Sequence, residues 1–365
     1  MTTAQTMGLS PLLRALRTPA EAIGFSVTEW ETLLRQGRAT RLLGRVWHQF
    51  SRAGILAAVP DPVARRLHAA FVEADYYRRT LLWETDRLHH AFHGTGISFI
   101  LLKGGAYAAA GLDLAYGRPA GDIDVLVAQE SILAAEEVLL RHGWEHVIDD
   151  GYDQQYYRRW MHELPPLRHS VRDTELDLHH AIVPRTSRLR PDMSLLHAAA
   201  VTVDERGTRV LAPVDMLLHC VVHLFHDGEI RDAFRDLVDI DALLRWLGQD
   251  PDLWRQLVPR ARQLGLERPL FYALRYATKI LDTPVPAAIL REAAVGAPQV
   301  PVQRLMDLVV PRAMAPELNA YRRWATRLST VVLKSRAHWL RMAPPRLALH
   351  LARKSVRRLI AAKAA

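Results

Sequence analysis

Cysteine is nearly absent. Cys220 is the single one in 365 residues, so no disulfide can close within the chain. It sits in an apolar stretch and is expected to be a packing thiol, with a nucleophile as the other option. No run of about 18 uncharged apolar residues occurs, which argues against a transmembrane helix. The opening M-T-T-A-Q-T-M-G-L-S-P-L-L-R lacks the continuous apolar segment of a secretory signal. A cytoplasmic protein is the expectation. There is no internal repeat and no low-complexity run. Acidic residues are missing altogether from Leu318 to Ala365, where twelve Lys and Arg stand. Removing those twelve from the 48 basic residues leaves 36 against 39 acidic ones, so the formal charge of +9 belongs to the C-terminal segment. The body is near neutral.

What is present suffices for a sizeable core: 49% of residues are hydrophobic and 24% charged. Four regions are expected. Residues 1–94 read as helical, with a capping-box pattern at Thr28 and Glu31 and a longer helix from Asp61-Pro62 to His93 that Gly94 and Gly96 end. Residues 95–205 hold the strands. Residues 213–317 read as a helical domain beginning at Pro213. Residues 318–365 form a basic tail. If helical, that tail places Trp324, Leu328, Val331, Val332, Ser335, Trp339 and Met342 on one stripe, flanked by Arg327, Lys334 and Arg341. The pattern fits a helix at an anionic membrane interface, an ordinary helix packed on the body, or contact with a nucleic acid.

The chemistry concentrates between Ser98 and Val127. An apolar run, Phe99 to Leu102, turns at Lys103-Gly104-Gly105. An Ala-rich segment follows, and Gly121-Asp122-Ile123-Asp124 opens a second apolar run. On a strand, residues i and i+2 share a face, so Asp122 and Asp124 stand side by side. Adjacent carboxylates repel unless a cation lies between them or one takes a proton. Further on, Leu167–Val171 and Glu175–Ile182 read as paired strands about Arg172-Asp173. Glu175, Asp177 and His179 share one face of the second. Asp177 is thus a third strand-borne carboxylate, and His179 is placed to approach it. An isolated D-x-D can also be a solvated acidic strand end.

Downstream, His219, His223 and His226 follow at i, i+4 and i+7. Interhelix hydrogen bonding, a zinc pair or the lining of a cleft would each use that spacing, and no companion cysteine exists. Arg235-Asp236 reads as a structural ion pair.

Taken together, Lys103-Gly104, the R-P-A-G-D-I-D-V element from Arg118 to Val125, and Asp177-Leu178-His179 resemble the nucleotidyltransferase superfamily. That superfamily includes DNA polymerase β and the minimal and aminoglycoside nucleotidyltransferases. The resemblance is closest to an uncharacterised bacterial nucleotidyltransferase family with the same K-G, R-x-x-x-D-I-D and D-L-H elements. It spans about residues 95–240. It implies an α+β fold, a small mixed palm-like β-sheet between helical regions. It also implies transfer of a nucleoside monophosphate from an NTP to a hydroxyl acceptor on a small molecule, a protein or an RNA, with pyrophosphate released. Asp122, Asp124 and Asp177 would be the catalytic and metal-holding residues for two Mg²⁺ ions, or Mn²⁺. Lys103, Gly104, Gly105 and Arg118 would meet the phosphates. Sixteen residues separate Gly105 from Asp122, a longer gap than is usual in the superfamily. The other reading is a catalytically silent module of this fold, held at a membrane or polyanionic partner by its basic tail.

Overall fold

The computed structural model describes residues 10–148, 150–227, 232–315 and 324–341. The expected helix break at Gly228 and residues 318–323 and 342–365 of the basic tail lie outside the described residues. The fold is α+β: one mixed sheet flanked by helices. Before the sheet come α1 (Pro11–Arg17), α2 (Val27–Ala39), α3 (Leu43–Arg52) and the long α4 (Asp61–Phe92). The capping box of α2 is Ser26 with Glu29, each side chain bonded to the other's backbone. The expected Thr28–Glu31 box is therefore corrected: both residues lie inside the helix, where backbone donors are already used. Helix α4 has 32 residues, about 48 Å at 1.5 Å per residue. Its buried positions Val63, Leu67, Ala74, Leu81, Leu88 and Phe92 repeat every four or seven residues, the stripe that a helix needs to lie along a sheet.

The sheet follows: β1 (Phe99–Leu101), α5 (Lys103–Ala109), β2 (Asp122–Val127), α6 (Ile132–Arg141), β3 (Trp144–His146), α7 (Gly151–Trp160), β4 (Leu167–His169), β5 (Glu175–His179), α8 (Met193–Ala199), β6 (Val201–Thr202) and β7 (Arg209–Val210). Strand order is β3-β4-β5-β2-β1-β7-β6. β2 lies at the centre, antiparallel to β1 and parallel to β5. Its residues Ile123, Val125, Leu126 and Val127 are fully buried. A buried ion pair anchors the β4–β5 hairpin to α4: Arg172 donates to Glu84 at 2.8 and 3.0 Å, and Thr174 to the same carboxylate at 2.8 Å.

The helical part that follows comprises α9 (Pro213–Val222), α10 (Ala233–Leu247), α11 (Pro251–Gln263), α12 (Glu267–Leu281), α13 (Ala287–Ala293), α14 (Val300–Met314) and α15 (Trp324–Arg341). The single helix expected from Pro213 to His226 widens after Val222 into a π turn, His223–Asp227. No helix among the described residues is long and apolar enough to cross a membrane.

A close backbone contact helps set the position of the loop between α5 and β2, beside the ion pairs of Asp113 with Arg45 and Arg52. Gly117, at φ +72°, lies with its backbone against the first turn of α3, and a Cβ there would fall 2.2 Å from the Gly44 carbonyl oxygen. The fit therefore needs glycine twice over, for conformation and for space. Gly117→Ala should lower stability by about 1–3 kcal/mol, read as a shift of the denaturant midpoint. An unchanged midpoint would show that the loop is not clamped there.

Candidate active site

The parallel register sets Asp122 beside Glu175 and Asp124 beside Asp177 on neighbouring strands. Four carboxylates therefore gather at one end of the sheet. Strand alternation places them on one face, while Ile123, Leu176 and Leu178 anchor the other in the core. A cavity of about 280 Å³ opens over this end. Lys103, Gly104, Tyr107, Arg118, Asp122, Asp124 and Glu175 line it, with Arg41 from the N-terminal helices and His223, Asp232, Arg235, Asp236 and Asp239 from the helical part. Gly104 is bare for a reason: a Cβ there would come within 3.0 Å of Ala120 Cβ and Arg118 Nη1. Gly105 lies behind it, facing Leu101 and Ile123, and is not among the lining residues.

Asp124 is the most enclosed of the four, 2% exposed. Its Oδ1 accepts from Lys103 Nζ at 2.7 Å and lies 3.1 Å from His179 Nε2. Burial opposes its ionisation, but the Lys103 charge and the His179 hydrogen bond outweigh that and hold it well below the usual carboxylate range. Burial likewise works against the Lys103 ammonium, and Asp124 and Asp122 more than reverse it, so its pKa is raised. Lys103 reaches Asp124 from a left-handed backbone, φ +43°, a conformation that is strained for any residue with a Cβ. Asp122 and Asp177 go the opposite way. Repulsion from Asp124, then burial, raises Asp122. Burial, then Asp124 and Glu163, pushes Asp177 up to about 8. The site holds more negative charge than its own cations balance.

Arg118 spans the cavity wall. Its Nε donates to Asp239 at 2.7 Å, and its guanidinium lies 5.4 Å from the Tyr107 ring centroid. The ion pair keeps the buried guanidinium charged and ties the loop before β2 to α10. Asp232 bridges Arg235 at 3.1 Å and Arg41 at 3.4 Å at the cavity's edge. Arg235 also pairs with Asp236 at 3.2 Å, the ion pair expected from sequence.

The three downstream histidines separate. His219 is buried, His223 faces Asp236 at 3.3 Å in the cavity wall, and His226 is bonded to Ser187 at 2.8 Å. Among the described residues, the compact groups able to hold a metal are Asp124–Asp177–His179 and His162–Glu163–His179, and none of these three is a member. The change of helix pitch at His223 undoes the spacing that put them on one face. Cys220 is buried, and burial pushes its thiol far up, which leaves a packing group and no thiolate.

Several residues of this site gave no sequence signal. Arg41 sits in the turn between α2 and α3, in a region read for packing alone, Tyr107 lies within the Ala-rich segment after the glycine turn, and His162 and Glu163 lie in a loop between aromatic and proline-rich stretches. His179 was legible, since it shares a strand face with Asp177.

Residues 26–282 match the model of a protein family described as uncharacterised nucleotidyltransferase. No curated protein and no solved structure matches the chain.

The raised pKa of Asp177 has a consequence for stability. Between its unfolded value of 3.8 and its folded value of about 8, the folded chain keeps a proton that the unfolded chain has lost. Its contribution to stability therefore falls as pH rises through that window. Asp177→Asn cannot lose a proton. In metal-free buffer its melting temperature should match the wild type near pH 4 and exceed it increasingly toward pH 8. A difference that stays flat with pH would show that Asp177 is not held protonated.

Proposed function

The chain belongs to the uncharacterised nucleotidyltransferase family, and from that premise we propose that it is an active, Mg²⁺-dependent enzyme that moves a nucleoside monophosphate from an NTP to a hydroxyl acceptor. The observation that carries the reading is the excess of carboxylates at the β2–β5 end. Asp122 and Asp177 both have raised pKa values, and the cavity beside them carries Lys103 and Arg118 on its wall. Raised acids on neighbouring strands are a site short of positive charge, and an all-oxygen donor set suits Mg²⁺ or Mn²⁺.

In this reading the acceptor oxygen forms a bond to the α-phosphorus, the bond from that phosphorus to the bridging oxygen breaks, and pyrophosphate leaves. Asp177, once ionised, takes the hydroxyl proton, and its raised pKa makes it the strongest base among the site's carboxylates. Asp122, Asp124 and Asp177 would hold the divalent ions. Bound there, two such ions would neutralise charge on the attacking and leaving oxygens. Arg118, kept charged by Asp239, and Lys103 face the phosphates. Gly104 leaves room for the phosphates to approach the wall.

A second reading concerns α15 and rests on a different observation. The helix packs through its small side chains, with Thr326, Ser329 and Ala337 buried, and Arg336 donates to the Phe225 carbonyl at 2.8 Å. Most of the apolar stripe seen in sequence points outward: Trp324 is 77% exposed, Leu328 55% and Val331 58%. Arg327 and Lys334 are exposed beside it. An outward apolar stripe flanked by cations fits an anionic lipid surface, and an enzyme held there remains an enzyme.

Given each NTP with Mg²⁺ or Mn²⁺ and a panel of hydroxyl acceptors, the full chain should label an acceptor, and Asp122→Asn should lose at least about a hundredfold in rate. No labelling across the panel, or full activity in the variant, would overturn the first reading. For the second, the chain should float with phosphatidylserine vesicles, and Trp324→Asp with Leu328→Asp should stop it. Flotation that survives both changes rules out the stripe as the contact.

A further inference from the structure

Residues 161–164 turn back along β5 and add backbone bonds to its end. Glu163 and His179 form an antiparallel bridge. Leu164 N–H donates to the Leu178 carbonyl and His180 N–H to the His162 carbonyl, both at 2.9 Å. This return brings His162, Glu163 and His179 together, with one donor atom of each within 4.8 Å of the others. His162 is 7% exposed and His179 1%.

His179 lies between two carboxylates: its Nε2 is 3.1 Å from Asp124 Oδ1 and its Nδ1 is 3.5 Å from Glu163 Oε2. Neither His179 Nδ1 nor His162 Nδ1 has a hydrogen-bond partner, although both are buried. His162 Nε2 faces the same Glu163 oxygen at 3.7 Å.

We propose that His162, Glu163 and His179 form a binding site for a transition-series divalent cation of the Zn²⁺ class, separate from the all-oxygen site at Asp122. Two imidazoles and one carboxylate make a donor set suited to Zn²⁺. Mg²⁺, which takes oxygen ligands, is poorly served by it. His179 has the arrangement of a metal-ligating histidine, with one nitrogen toward the ion and the other donating to a carboxylate. That carboxylate is Asp124, so the ion would fix the His179 ring and through it the orientation of Asp124. His179 is then a positioning residue for the carboxylate site. The inference stands on donor geometry and holds whether or not the chain transfers nucleotides.

The test uses the full-length chain without an affinity tag, stripped with chelator and dialysed against Zn²⁺ in a large excess of Mg²⁺. One equivalent of zinc should be retained by elemental analysis, and Co²⁺ in its place should give visible ligand-field bands. His162→Ala and the near-isosteric Glu163→Gln should each weaken Zn²⁺ binding at least tenfold, with far-ultraviolet circular dichroism unchanged for the latter. Asp122→Asn should retain the ion. No retained zinc in the wild type, binding undiminished in Glu163→Gln, or loss of zinc only in Asp122→Asn would each overturn the proposal.

Discussion

Everything at the sheet's end depends on keeping Asp124 ionised although it is almost wholly buried. The parallel pairing of β2 with β5 puts Asp177 directly beside it, and two carboxylates at that spacing cannot both be charged without help. Lys103 from one side and His179 from the other place their hydrogen bonds on Asp124. Asp177 and Asp122 are left with raised affinity for a proton or a cation. The result is an electrostatic asymmetry: one acid is held well below the usual carboxylate range while its two neighbours are raised above it.

The surrounding helices serve that arrangement from both sides. Gly44 of α3 and Gly117 of the loop before β2 meet backbone to backbone. One residue on, Arg118 reaches across to Asp239 of α10. The sixteen residues between Gly105 and Asp122, long for the superfamily, are thus held by elements that come before and after the sheet. The cavity exists only because the N-terminal helices, the sheet and α10 converge there. The exposed apolar stripe of α15 is separate from this construction. The helix is attached through Thr326, Ser329, Val332, Leu333 and Ala337, and Trp324, Leu328 and Val331 are left outward.

Much of the fold was legible in sequence, for local reasons. The 3.6-residue stripe of α4, the period-2 alternation of β5 and the glycines after α4 each follow from chain geometry acting over a few residues. So did the carboxylates, because residues two apart on a strand must share a face. Where one local cue competed with another a few residues away, the reading slipped. Ser26-Glu29 and Thr28-Glu31 offer the same capping chemistry, and only packing of the first turn chose the former. The histidine row after Pro213 looked like one face of a helix until a π turn altered its pitch.

The sequence by itself determined the element types, the shared strand faces of Asp122 with Asp124 and of Asp177 with His179, and the confinement of excess positive charge to the C-terminal segment. Family membership rests on the match over residues 26–282. Tertiary structure alone decided which partners these groups have. Lys103 lies against Asp124, Arg118 against Asp239, and His162 and Glu163 against His179. It also decided that α15 buries its small residues and shows its tryptophan. The reason is that pairing between strands and helices far apart in the chain is set by register and packing, which no window of neighbouring residues contains. A carboxylate's charge state follows from those pairings more than from its own identity.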